Sequence, residues 1–337
     1  MASVYATWAP APGHHYPGHP EGPQRLQGLA DLPRANDGTI WLEPEPASPE
    51  ALARAHDPRH VGFIEAIAPQ GPTIIDYAPT YVTPSSYDDA RRAAGGALAV
   101  VQAVLQGPQR RGFAWVRPPG HHATRTQAMG FCLFNNVAVA AHHALTQGIA
   151  PVLIVDFDAH HGNGTQDIFR HEPRVAYFST HQEGIYPGSG DFEDEPHARG
   201  RIVNVPVAAH TGDQGYARIY EEVLLPWARV LRPALVLVSA GFDAHWRDPL
   251  TQLGLTSSGF ARLARLLITL ADETAQGRIA FVLEGGYDPQ AVAESGRAVW
   301  AVLHDRAVAK GALGPAPFPE PDVADRILYA RRLHGLN

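Results

Sequence analysis

Apolar runs and polar breaks alternate along this chain with two different periods. Six short runs, "GFAWVR" (112–117), "PVLIVDF" (151–157), "RVAYFST" (174–180), "RIVNVPV" (201–207), "ALVLVSA" (234–240) and "RIAFVLE" (278–284), are strand candidates. Several are apolar at consecutive positions, the pattern of parallel strands covered on both faces by helices. Between them, segments 87–106, 135–147, 214–231, 258–275 and 289–306 carry a helical period. Strand–helix alternation of this kind predicts an α/β fold with a mainly parallel sheet. No Ser/Gly-rich linker divides the 337 residues, so one domain is expected. In such sheets ligands bind outside the carboxyl ends of the strands.

Polar clusters fall at those ends. "PVLIVDF" runs into "DAHHGNGTQ", which puts Asp156, Asp158, His160 and His161 at the end of a buried run. Asp158 and His160 are two residues apart, so on an extended segment both leave the same face. A carboxylate and an imidazole there suit zinc or a similar divalent ion. "LVLVSAGFDAH" places Asp243 just past a second run, "VRPPGHHA" presents His121 and His122 in a Pro/Gly turn, and "AFVLEGGYD" puts Tyr287 after two glycines. Singly, each has a plain reading as a helix cap, a turn residue or surface polarity. Four together, gathered on one rim by the sheet, point to metal and acid–base chemistry. Other polar residues take the plain reading: His14, His15 and His19 in a Pro/Gly-rich loop, His142 and His143 in a helix, His171 in a turn, and Glu193, Asp194 and Glu195 in a solvated acidic loop.

Composition narrows the classes. Apolar residues make up 45% and charged residues 18%, a globular balance. The net charge of −7 gives no basic footprint for nucleic acid. A single cysteine, Cys132, excludes an intrachain disulfide and a Cys-based zinc site. The N-terminal segment has no basic and apolar signal pattern, and no run reaches the 18 or so apolar residues of a membrane span. A cytoplasmic protein without nucleic-acid or membrane partners is expected, with homo-oligomerisation left open.

Taken together, "RPPGHHA", "MGFCLFNNVAVAA", "DFDAHHGNGTQ", "STHQEGIYPGSGD", "SAGFDAHWRDPL" and "LEGGY" resemble the zinc-dependent histone deacetylase superfamily. The match is to its class II branch, with the bacterial histone deacetylase-like amidohydrolases and acetylpolyamine amidohydrolases. It runs from "HPEGPQRL" (19–26) to "LEGGYD" (283–288), the motif-bearing region being about 14–306 and the tail 307–337. The resemblance implies the arginase/deacetylase fold, one domain around an eight-stranded, mainly parallel sheet. It implies one Zn²⁺ per chain on Asp158, His160 and Asp243, three ligands that leave a position open. His122 would be the general base and His121 its electrostatic partner, bonded to Asp156. Asn163 would contact the second histidine, keeping it less basic than an aspartate would. Tyr287 would donate to the developing oxyanion. A structural K⁺ is implied at Asp156, the carbonyls of Asp158 and His160, and Ser179 with Thr180. Gly130, Phe131 and Tyr186 would wall an acyl tunnel, Leu250 would stand near its rim, and Arg25 would lie behind the site.

The activity so implied is hydrolysis of N-acetyl or N-acyl amides, with acetyl-lysine or small acetylated amines and polyamines as substrates. Two alternatives stand beside it. A ureohydrolase of the same fold would need further carboxylates, where this chain has Gly162 and His245. A non-catalytic acyl-amine binding protein would be expected to lack a ligand or the tyrosine. Polyamine selectivity in the family uses a glutamate at the place of Leu250, or a dimer-narrowed entrance. Where many members carry a substrate-gripping aspartate, before "TYVTP", this chain has Pro79. Weak peptide gripping is therefore expected, with "DAHWRDPL" narrowing the entrance through His245 and Trp246.

Overall fold

Alternate residues of the predicted strands pack into two separate apolar layers. Phe113, Trp115, Leu153, Val155, Val236, Val238 and Phe281 lie in one, and Ala114, Val116, Val152, Ile154, Leu235, Leu237, Ala280 and Val282 in the other. Side chains alternate across a strand, so runs apolar at every position need a dry partner on each face. The computed structural model describes residues 3–336; Met1 and Ala2, which open the segment read for a leader, and Asn337 lie outside the described residues.

The strands are β1 (Tyr5–Ala9), β2 (Ile40–Leu42), β3 (Thr73–Ile74), β4 (Tyr81–Val82), β5 (Arg111–Val116), β6 (Val152–Asp156), β7 (Val175–Gln182), β8 (Ile202–Val207), β9 (Leu235–Ala240) and β10 (Ile279–Leu283). Eight form one parallel sheet in the order β2-β1-β5-β10-β9-β6-β7-β8, and β3 and β4 make a small antiparallel pair. The helices are α1 (Pro49–Leu52), α2 (Pro58–Ile67), α3 (Ser86–Gln106), α4 (Asn136–Thr146), α5 (Asn163–Phe169), α6 (Asp213–Ile219), α7 (Leu225–Leu231), α8 (Ser257–Thr274), α9 (Pro289–Leu303) and α10 (Ala324–His334). Helices α3 and α4 contribute to one apolar layer, and α6 to α9 to the other.

All six predicted strands and five predicted helical segments are present. One segment is broken: Tyr220–Leu224 forms a π-helical turn between α6 and α7. Pro226, at the start of α7, has no N–H for the helical ladder, and the widened turn lies just before it. Strands β1 and β2 escaped prediction because one is embedded in Pro/Gly-rich sequence and the other has three residues. The acidic loop is not wholly solvated: Glu195 is buried, with Arg170 Nη2 at 2.9 Å.

The turn from α5 into β7 is held by one side chain. Arg201 donates to the carbonyls of Phe169 (2.8 Å), Arg170 (2.6 Å), Glu172 (3.1 Å) and Val175 (3.0 Å). These bonds add to the turn's own backbone bonds, in which the Phe169 and Glu172 carbonyls accept from the Glu172 and Val175 N–H groups. Arg201→Ala is therefore expected to lower unfolding stability by about 2–3 kcal/mol, the scale of a lost charge-assisted hydrogen bond in a partly exposed setting. Chemical denaturation measures it, and a change below about 0.5 kcal/mol would show that water replaces the guanidinium.

Candidate active site

The four strands that end in polar motifs, β5, β10, β9 and β6, are consecutive in the sheet. Residues far apart in the chain therefore meet across neighbouring strand ends about 5 Å apart. Strand β6 ends at Asp156, which pairs in register with Ser179 of β7 and Ser239 of β9. Beyond it the chain bends, so extended alternation does not set the placement of Asp158 and His160. Two successive turns do: Asp156 Oδ1 accepts the Asp158 N–H (3.1 Å), and Asp158 Oδ1 accepts the His160 N–H (2.9 Å). Asp243, past β9, takes the Ala159 N–H at 2.8 Å.

Asp158, His160 and Asp243 are buried, and their ligand atoms all lie within 4.8 Å of one another. His160 Nδ1 is 3.2 Å from Asp158 Oδ1 and 3.0 Å from Asp243 Oδ2. One imidazole nitrogen and two carboxylates converging on a point match the donor set of a divalent ion. The surrounding charge agrees. Asp156, Asp158, Asp243 and Glu284 are all fully buried, and among the described residues their ion pairs are to His121 and His160 alone. Buried negative charge in excess is costly unless a cation answers it. Gly285 leaves room for this cluster, since a Cβ there would run into the carboxylates of Asp243 and Asp158.

His121 and His122 are chain neighbours in different electrostatic surroundings. Burial alone would lower both. The Asp158 and Asp156 carboxylates instead hold His121 well above the usual imidazole range, with Nδ1 3.0 Å from Asp156 Oδ2. His122 stays well below that range, through burial and the like charges of His121 and His160. Its Nδ1–H donates to Asn163 Oδ1 at 2.7 Å, which leaves the Nε2 lone pair free. Glu284 accepts the N–H groups of Gly120 (2.6 Å) and His121 (3.1 Å), fixing the turn that carries both rings. Burial pushes the Glu284 carboxyl up to about 7. Sequence reasoning missed Glu284, although its place between a strand and two glycines was a visible signal.

A cavity of about 260 Å³ opens onto this group, and its lining includes His122, His160, Tyr287, Gly130, Phe131, Tyr186 and Leu250. Gly130, Phe131 and Tyr186, expected to wall a tunnel, and Leu250, expected near its rim, thus share a surface with the polar cluster. Gly130, at φ +56°, lies against the His122 ring, where a Cβ would collide. Two groups hold the Tyr287 loop. Asp248 accepts the backbone N–H of Tyr287 (2.7 Å) and of Leu250 (2.9 Å). Arg25 lies 4.9 Å from the Tyr287 ring centroid and donates to the carbonyls of Gly286 and Glu284. Burial raises the Tyr287 hydroxyl well above its usual range, so it is held as a proton donor.

Several plain readings need correcting. His14 and His19 are buried, not loose in a loop: His14 stacks on Tyr81 and faces Glu21, and His19 bonds the Glu21 and Pro79 carbonyls. Glu21 bridges Arg25 (3.1 Å) and Arg117 (2.6 Å), all three fully buried. His245 and Trp246 do not line the cavity, because Trp246 Nε1 turns away to the Gly314 carbonyl at 3.3 Å. Among the described residues Thr180 Oγ1 is buried without a hydrogen-bond partner, while Ser179 Oγ meets His181 Nδ1 at 2.8 Å.

A family model, the histone deacetylase domain, matches residues 19–303. The chain belongs to the histone deacetylase family. It is 36% identical to the chloroplastic histone deacetylase 14 of Arabidopsis thaliana over 99% of this chain and 85% of that one. It is 39% identical to the polyamine deacetylase HDAC10 of Mus musculus over 82% of this chain and 43% of that one. The solved HDA15 HD domain superposes with a TM-score of 0.87 at 32% identity, covering 99% of this chain and 94% of the other. The fold is therefore that of a histone deacetylase domain, and among the described residues no helix is long and apolar enough to cross a membrane.

Metal-free protein titrated with Zn²⁺ is expected to bind one ion per chain at Asp158, His160 and Asp243. Free metal at 100 times its Kd would add about 2.7 kcal/mol of stability. Thermal unfolding should show that gain in the natural chain and lose it in Asp243→Asn. Binding of two ions with similar affinity would contradict the single cluster.

Proposed function

We propose that this histone deacetylase family member is a metal-dependent hydrolase that splits N-acetyl or N-acyl amides into a carboxylate and a free amine. The observation that carries the reading is the meeting of three kinds of group on one cavity: the Asp158–His160–Asp243 cluster, a neutral buried His122, and Tyr287. We take the whole chain, 1–337, as one deacetylase domain. A ureohydrolase is disfavoured, because the described residues offer one cluster of metal-ligating groups.

A Zn²⁺ ion held by Asp158, His160 and Asp243 would polarise the acyl carbonyl and acidify a water molecule. His122 Nε2 takes the proton of the attacking water as its oxygen bonds to the carbonyl carbon. Tyr287 donates its hydroxyl to the carbonyl oxygen as negative charge gathers there. His122 then returns the proton to the departing nitrogen as the C–N bond breaks, giving a neutral amine and a carboxylic acid, and the acid's remaining proton then passes to the amine or to water to leave the carboxylate. His121, paired with Asp156, stays cationic and keeps His122 from protonating too early. Gly130, Phe131 and Tyr186 would flank the acyl chain, with Leu250 at the rim. A structural K⁺ would sit below, on the Asp156 carboxylate, the Asp158 and His160 carbonyls and Ser179 with Thr180. Asp156 and Ser179 are in register on neighbouring strands, so their side chains share one face, which supports that placement.

The test is acetate release from N-acetylated amines by the Zn²⁺-loaded chain. Tyr287→Phe keeps the ring but removes one oxyanion donor, so turnover should fall about 10²–10³-fold. Hydroxamate binding should change much less. Near-full turnover by the variant would remove Tyr287 from this role.

Asn163→Asp tests the base. A carboxylate at Nδ1 stabilises imidazolium, so His122 would stay protonated to higher pH. The depressed His122 of the natural chain keeps its base form as pH falls below the usual imidazole value, and the variant should lose it sooner. The acid limb of kcat/KM is expected to move up by about one pH unit or more. An unmoved limb would assign the base elsewhere.

A further inference from the structure

Beside the acyl cavity lies a second one, of about 340 Å³, whose walls include His60, Phe63, Ile75, Asp76, Tyr77 and Met129. The two share a partition. Residues 76–77 and 129 face the side cavity, while Ala78, Pro79, Gly130 and Phe131 face the acyl cavity. Asp76 is built into that partition. Its Oδ2 accepts from Thr80 Oγ1 (3.3 Å) and the Gly130 N–H (3.4 Å), and Thr80 Oγ1 in turn accepts the Phe131 N–H at 2.9 Å.

Asp76 is a half-buried carboxylate with two long hydrogen bonds and no ion pair among the described residues. It is the only acidic or basic side chain on the wall besides His60. That imidazole is kept on the neutral side by burial, with Nε2 against the Leu133 carbonyl at 2.9 Å. The rest is apolar or uncharged. Phe63 and Tyr77 expose ring faces that attract a cation, and Ile75 and Met129 offer alkyl contact. One spare carboxylate, aromatic faces and apolar walls are the chemistry of an ammonium on an alkyl chain. Apart from the neutral His60, no basic side chain among the described residues stands on this wall to attract an anion.

We propose that the side cavity is a subsite for the protonated amino group of a mono-acylated diamine or polyamine, with Asp76 as its counter-ion. The inference rests on the N-acyl amide hydrolase reading and adds the charge of the leaving amine. The acyl end enters the acyl cavity, the alkyl chain crosses the rim past Ala78 and Pro79, and the ammonium meets Asp76. The acid at this mouth thus stands three residues before Pro79.

The test compares two N-acetyl amides of equal length, N-acetyl-1,5-diaminopentane and N-acetylpentylamine, which differ in one terminal ammonium. The Zn²⁺-loaded natural chain should favour the charged substrate by about tenfold in kcat/KM, chiefly through KM. Added NaCl should erode that preference, since the subsite is open to solvent. Asp76→Asn keeps an acceptor oxygen for the partition and should bring the ratio close to one, and Asp76→Glu should restore part of it. Equal kcat/KM for the two substrates in the natural chain would overturn the subsite while leaving the hydrolase reading intact. An equal loss on both substrates in Asp76→Asn would make Asp76 a structural part of the rim and overturn the subsite as well. No acetate from either substrate would overturn the hydrolase reading, and the subsite with it.

Discussion

The site depends on buried negative charge at the carboxyl ends of three adjacent strands, β10, β9 and β6. Asp156, Asp158, Asp243 and Glu284 are fully buried, and each is stabilised chiefly by backbone N–H groups and imidazoles. Such a cluster opposes folding unless its oxygens are satisfied and its charge is answered. The turns after β5, β6, β9 and β10 therefore serve two ends at once. They satisfy the carboxylates through main-chain donors, and in doing so they aim side chains at one point. The arginines lie one layer back: Arg25 binds the carbonyls of the Tyr287 loop, and Arg117 binds Glu21 and the carbonyls of the N-terminal loop. Cations there stabilise the loops without competing with a metal for Asp158 and Asp243.

The central strands were legible because both their faces are dry. A run such as "PVLIVDF" has no solvated face, and its pattern survives any tertiary context. The acidic and imidazole side chains at their ends were legible too, and the sheet sets those strand ends side by side. The two strands at one end of the sheet, β2 and β1, were not legible. β2 has three residues with an exposed Ile40, and β1 lies in a loop-like composition. What sequence could not separate was a buried polar residue from a solvated one. His14, His19 and Glu195 sit among prolines, glycines and acids that read as surface, yet each is buried by partners many positions away. Glu284 and Asp248 were passed over for a related reason. Their work is to hold backbone N–H groups, which no motif of side-chain types reveals.

His121 and His122 show how environment divides one residue type into two roles. Their rings are 4.1 Å apart, and the chain gives them the same turn. Asp156 beside one and Asn163 beside the other is the difference in partner. A carboxylate favours the imidazolium, whereas an amide oxygen fixes a tautomer without favouring charge to the same degree. Once His121 is cationic, its own field keeps His122 neutral. The pair thus sets an imidazole raised by the Asp158 and Asp156 carboxylates beside one lowered by burial and by the charges of His121 and His160.

The floor and the mouth of the cavity are anchored differently, and that difference decides where substrate preference can change. Floor residues sit on strand ends, buried and tied to main-chain donors, so altering one disturbs several others. Mouth residues sit on connections: Leu250 is 40% exposed and Tyr77 is 81% exposed. Substitutions there cost little stability, because exposed side chains on loops carry few packing contacts. A charge can move along such a loop while the partition it belongs to stays in place. The loop between β3 and β4 does this by carrying an acid at Asp76 and none at Pro79. Pro79 alone would make the mouth uncharged, although Asp76 stands three residues before it on the same loop. Preference at the mouth has therefore to be read from the wall as a surface, whereas chemistry at the floor can be read residue by residue.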